Sequence, residues 1–217
     1  MFAITDLETT GLNPWRNEIL TLCTIVVDEN LKEIDRVTLN RRPEFLGFWS
    51  EEAEKVHKIS IDETNDFDDS KTFISKYIKF LRNISPDGGY SFVCHAFPFK
   101  NKVDLFDFNF VFSLFWQHDR RASFYNLFPE KKLRSTITRN KKDALDNWGV
   151  ENQKLDTWMD FLNIEKTNHH NAEFDSEVCL EVLKYQLKAE KNDKDYDFYN
   201  KQKPKDITHS GDAFKLI

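Results

Sequence analysis

Two carboxylates near the start of the chain, in Asp6-Leu7-Glu8-Thr9-Thr10-Gly11-Leu12, have types and spacing that point to chemistry. Phe2 to Glu8 reads as a strand, whose side chains repeat every two residues. Asp6 and Glu8 then project to one face, roughly 6.5–7 Å apart. On a buried face two such acids repel unless a cation lies between them, and hard oxygen donors suit Mg2+ or Mn2+. Thr9-Thr10-Gly11 turns the chain and brings backbone N–H groups to the same point. The plainer alternative is a solvated acidic strand end.

A second group, His170-Asn171-Ala172-Glu173-Phe174-Asp175, opens the last helical stretch. There Asp175 shares a face with Val178, Cys179 and Val182 and points toward the core, with no Lys or Arg spaced to meet it locally. His170 in the preceding loop reaches the same point as a general base titrating near neutrality, and His169 beside it competes for the role. The alternative is an acid facing the helix dipole. The third group is Phe106-Asp107-Phe108-Asn109-Phe110, an acid within an apolar run, for which an exposed helix position is the competing reading.

Elements that position these groups follow from the hydrophobic pattern. Residues 19–27, ILTLCTIVV, form a nearly continuous β-branched run that fits a central strand. A turn at Asp28-Glu29-Asn30 leads into a returning strand from Leu31 to Asn40. Ser50-Glu51-Glu52 caps a helix to about Lys58. Residues 66–84 carry the clearest amphipathic helix, SPDGG at 85–89 stops it, and Tyr90 to Cys94 is a short strand. From Asp104 to Trp116 the Phe alternation of a strand and the spacing of a helix fit equally well. Helices are expected over 141–149, 154–164 and from Asn171 to about Lys188. The order gives one mixed α/β (α+β) domain over residues 1–188, followed by a charged tail, 189–217.

Composition sets the outer limits. With 31 Lys and Arg against 37 Asp and Glu, the chain is no uniformly basic phosphate binder, although bound divalent metal supplies local positive charge. Cys23, Cys94 and Cys179 are odd in number and set among apolar residues, which fits reduced core thiols. The start has no basic segment before an apolar one, and no stretch is long enough to span a bilayer. The expectation is a soluble, cytoplasmic protein without a membrane partner. Twenty Phe favour an aromatic core over a base-stacking surface, the alternative for this wealth of rings.

Taken together, DLETTGL, the mid-chain FDxxF acid and HxAxxD closely resemble the DEDDh (DnaQ-like) 3′→5′ exonucleases over about residues 2 to 187. That resemblance implies a ribonuclease H-like fold: a mixed central sheet with an N-terminal antiparallel three-strand set, flanked by helices. It implies metal ligands at Asp6, Glu8, Asp107 and Asp175, His170 as base, and Thr9 and Leu12 at the terminal nucleotide. Ala53-x-x-x-His57-x-Ile59 resembles the family's helix near the substrate's 3′ end. The family's fold also makes 104–116 mainly helix. The family pattern places the second acid five residues after a strand-end His. Here Asp107 lies twelve after His95, so an insertion of about seven residues intervenes and Asp104 is a rival ligand.

The implied activity is two-metal hydrolysis, with Mg2+ or Mn2+, that releases nucleoside 5′-monophosphates from single-stranded DNA 3′ ends. Alternatives are an RNA-trimming or oligoribonuclease-like enzyme and a proofreading or scaffold subunit that meets a polymerase through the tail. A zinc site at His169, His170 and Cys179 is a further reading, although its spacing matches no structural zinc pair.

Overall fold

The computed structural model describes residues 1–95, 97–99, 102–129, 132–137, 150, 152–166 and 169–192. Strands β1 (Phe2–Thr9), β2 (Ile19–Val27) and β3 (Glu33–Asn40) form an antiparallel set, β1 with β2 and β2 with β3. Strand β4 (Ser91–Cys94) pairs in parallel with β1, and β7 (Leu133–Ser135) pairs in parallel with β4. The five make one sheet in the order β3-β2-β1-β4-β7. The remaining strands, β5 (Phe97–Phe99) and β6 (Lys102–Asp104), make a separate hairpin inside the inserted segment.

Burial explains the strand sequences. Every residue of β2 is buried, Thr21 and Thr24 included, as its nearly continuous apolar run requires of a strand covered on both faces. The edge strand β3 is largely exposed and charged, which discourages further pairing. On one face, Ala3, Leu7, Leu22 and Val26 join helix α2 (Ser70–Ile84), α3 (Phe106–Gln117) and α4 (Arg121–Leu127). The other face presents Ile4, Cys23, Ile25 and Val93 to α6 (Ala172–Asn192). Helix α5 (Leu155–Leu162) packs Trp158 and Met159 against Val178 and Val182 of α6.

Caps mark the helix starts. The Asp69 carboxylate accepts from the Lys71 and Thr72 N–H groups at α2, and the Ser50 hydroxyl accepts from Ala53 N–H at α1 (Glu51–His57). The expected helix over 66–84 is therefore shorter, with a 3-10 turn over Glu63–Asp66 before it. Helix α3 resolves the ambiguous run: Asp107, Phe108 and 110–115 are all buried, so no polar face exists to reveal the helical period. Phe112 and Phe115 meet Phe124 of α4 at 5.0 and 5.4 Å, and Phe108 meets Phe92 of β4 at 5.4 Å. Those rings are core, as their number implied. Cys23, Cys94 and Cys179 are buried and free. The helix expected at 141–149 and residues 193–217 of the expected tail lie outside the described residues, while the final helix continues to Asn192. Among the described residues, no helix is long and apolar enough to cross a membrane.

Candidate active site

Asp6 pairs with Cys23 and Glu8 with Thr21 across β1 and β2, so both acids lie on the face that receives α6. A register shift between Glu8 and Thr9 bends the strand end where the turn begins. From α6, Asp175 comes to the same place. Asn171 caps that helix, its side-chain oxygen accepting from the Glu173 and Phe174 N–H groups. The buried Val178, Cys179 and Val182 share the Asp175 face and hold it toward the sheet. Carboxylate oxygens of Asp6, Glu8 and Asp175 lie within 4.8 Å of one another. Asp107 is buried at the start of α3 and bears electrostatically on both strand acids.

Crowding and burial leave a clear electrostatic mark. Desolvation first, then the charges of Asp107, Asp175 and Glu8, hold the Asp6 carboxyl well above the usual carboxylate range. Desolvation, with Asp175 and Asp107, pushes Glu8 up to about 8. Burial also raises Asp175, against the opposing hydrogen bond from His169. Among the described residues, no Lys or Arg forms an ion pair with Asp6 or Glu8. A set of hard oxygen donors that resist sharing negative charge is what a divalent cation relieves.

The two histidines divide their roles. His169 Nδ1 lies 3.0 Å from Asp175 Oδ1, and its Nε2 lies 3.5 Å from Asp156 Oδ1. His170 reaches Asp175 through its backbone N–H, 3.1 Å from Oδ2, with a positive φ of 67°. Its ring is exposed and stacks on His169 at 3.9 Å. Partial burial, and then His169, hold the His170 ring below its usual pKa, which favours the neutral form that accepts a proton. His169, His170 and Asp175 also form a compact donor cluster. Cys179, the third member of the zinc reading, lies instead with its sulfur 3.8 Å from the Thr136 hydroxyl.

Residues that sequence reasoning overlooked brace the rim. Thr10 N–H donates to Glu18 O, and Glu18 N–H donates back to the Thr10 hydroxyl, each at 2.9 Å. The Glu18 carboxylate accepts from Arg41 at 2.6 Å, Phe45 N–H at 2.9 Å and Glu44 N–H at 3.1 Å. Arg41 Nε donates to the Ser70 hydroxyl. Asn17 donates to Phe48 O at 2.6 Å, and Ser50 N–H donates to Thr10 O at 2.8 Å. A Cβ on Gly11 would come within 2.6 Å of the Asn17 amide, so a larger residue there would push that hydrogen-bonded side chain aside. Thr9 is buried and donates to Gly11 O, while Leu12 projects from the turn, 80% exposed. On α1, Ala53 is half-buried. His57 accepts from Ile59 N–H, lies edge-on to Trp49, and leaves its buried Nε2 without a partner.

His95, the strand-end histidine, is structural in this chain. Its Nε2–H donates to Gln153 O at 2.9 Å and its Nδ1 accepts from the Thr136 hydroxyl at 2.7 Å. Burial lowers its pKa to about 4, so it stays neutral. No signal in the sequence foretold these partners, which lie 41 and 58 residues away. Asp104 ends β6; its side chain lies outside what is described.

Residues 3–103 match the RNase T family model, described as exonuclease. Solved structures give the fold. E. coli exonuclease I in complex with a dA16 oligonucleotide superposes with a TM-score of 0.71 and 14% identity, over 92% of this chain and 42% of that one. Its complex with a dT13 oligonucleotide gives 0.70 and 14%, over 88% and 42%. The exonuclease I of Methylocaldum szegediense gives 0.67 and 16%, over 92% and 42%. The chain thus spans about two fifths of the length of these proteins. No curated protein matches it. Residues 3–103 thus carry the match to the exonuclease family model, and the fold of the chain is ribonuclease H-like.

Proposed function

We propose that the chain is a divalent-metal-dependent 3′→5′ exonuclease acting on single-stranded DNA and releasing nucleoside 5′-monophosphates. The observation that carries this reading is the meeting of Asp6, Glu8 and Asp175 within 4.8 Å, with Glu8 forced up to about 8. These three and Asp107 would hold two Mg2+ or Mn2+ ions. Such ions, when bound, supply the positive charge that clamps the scissile phosphate and favours attack by water.

The chain's own groups supply the rest. His170, exposed beside the acids and biased toward its neutral form, takes the proton from the attacking water. Its backbone N–H and the His169 ring keep both Asp175 oxygens in place. Thr9 and Leu12 receive the terminal nucleotide at the turn, and α1, with Ala53 and His57, forms the neighbouring wall. DNA is favoured over RNA because E. coli exonuclease I was solved with dT13 and dA16 oligonucleotides. A reducing, cytoplasmic setting fits the three unpaired cysteines. We place the catalytic domain through about residue 188, with 189–217 as an appendage. Nothing in the comparisons supports a polymerase partner for it.

The test is digestion of labelled single-stranded DNA, duplex DNA and RNA with Mg2+, Mn2+ or EDTA, with products sized from both ends. Mononucleotides should leave the 3′ end of single-stranded DNA, and Asp6→Asn should stop them. Full activity in excess EDTA, or internal cuts, would refute the reading.

A further inference from the structure

The rim beside the Thr9–Leu12 turn exposes apolar rings, of which Trp15 also packs edge-on to Phe112 and Trp116. Phe45 is 57% exposed, Phe48 45% and Trp15 40%. Phe45 and Phe48 lie with ring centroids 5.1 Å apart, and the Arg16 guanidinium sits 5.9 Å from the Phe48 centroid. Arg16 is itself exposed and makes no ion pair among the described residues. Leaving such rings in water forgoes the stabilisation of burial, and clustered exposed rings mark a binding surface.

We infer that Phe45 and Phe48, with Arg16, form a stacking platform for bases of the single strand upstream of its 3′-terminal nucleotide. The inference rests on the exonuclease reading and extends it from the cleaved end to the strand that follows. Two observations favour this occupant. The platform is fastened to the site: Asn17 joins Phe48 O to Thr10 O, and Glu18, itself bonded to Thr10, holds Phe45 N–H, so the segment that carries the rings is tied to the turn that follows Glu8. Aromatic faces beside a guanidinium that makes no ion pair among the described residues suit bases and phosphates together.

The test is binding in EDTA, followed by fluorescence anisotropy, of labelled oligothymidylate about twelve nucleotides long and of a dinucleotide, with the full chain. Wild type should prefer the longer strand, and F45A/F48A should reduce that preference about tenfold or more. F45W/F48W should restore it. A 5-iodouridine placed two to five nucleotides from the 3′ end should crosslink to the 44–49 peptide; this readout, with Phe45→Ala alone, serves if the double variant does not fold. An unchanged preference in F45A/F48A, or crosslinks elsewhere, overturns the platform while leaving the exonuclease reading intact. So does a dimer that the double variant dissociates without changing affinity for DNA, since the rings would then face protein. If wild type degrades no strand with any metal, the exonuclease reading falls, and this inference with it.

Discussion

Glu8→Gln should make the metal-free protein more stable, although it removes one of the proposed metal ligands. The folded state carries Glu8 from an ordinary value of 4.5 to about 8, chiefly by desolvation and by the charges of Asp175 and Asp107. Between those two values the folded chain keeps a proton that the unfolded chain has released. Stability in EDTA therefore falls as pH rises through that window and levels off above it. At neutral pH the penalty is about 3 kcal/mol if Glu8 bears it alone. Glu8 is only half-buried and shares the strain with Asp6 and Asp175, so about 1–3 kcal/mol is the expected gain from glutamine. For a chain of this size that is a rise in melting temperature of about 2–10 °C. Thermal unfolding by circular dichroism, with EDTA at several pH values between 5 and 8, measures it. The variant should lose part of the wild-type slope with pH, and Mg2+ should raise the wild-type midpoint more than the variant's. A variant that melts below wild type at pH 8, or a wild type whose stability rises across the window, would refute the reasoning.

Three further outcomes follow from the site. His170→Ala should slow hydrolysis about 10²–10⁴-fold with single-strand binding nearly intact; a mild His170→Ala beside a crippling His169→Ala, in steady-state assays, would move the base to His169. Asp107→Asn should abolish activity and weaken Mn2+ binding measured by calorimetry, while Asp104→Asn stays within about tenfold of wild type. Arg41→Met should cost about 3–5 kcal/mol in chemical denaturation, because it leaves the Glu18 carboxylate buried with only backbone donors. Pairing it with Glu18→Gln should recover part of that loss.

The sequence was most readable where one face or one run decides the element. Strand β2 was placed at 19–27 by its apolar continuity, and Asp6 and Glu8 by alternation along β1. Helix α3 was not readable locally, because helices and sheet cover it on several sides and erase its period; the family resemblance supplied it. Helix α4 and the three-residue β7 passed unnoticed, since a strand that short carries no alternation. The hairpin of β5 and β6 reads only as an insertion. The braces were hidden for another reason. Glu18 looks like a solvated strand flank and Arg41 like one of two exposed arginines, and only tertiary approach across 23 residues makes them a buried pair.

The bonds linking Thr10, Asn17, Glu18 and Ser50 have an entropic consequence. They join the Leu12 turn to the distant stretch that runs from Phe45 into α1, making one body. A strand that docks on a rim already ordered does not have to freeze loops in order to bind. Its association should therefore proceed without a slow closing step, and the residence time should be set by how firmly bases and phosphates are held, not by a lid that must open. Loosening the rim with Asn17→Ala should make binding entropy less favourable while every group that touches the substrate is still present.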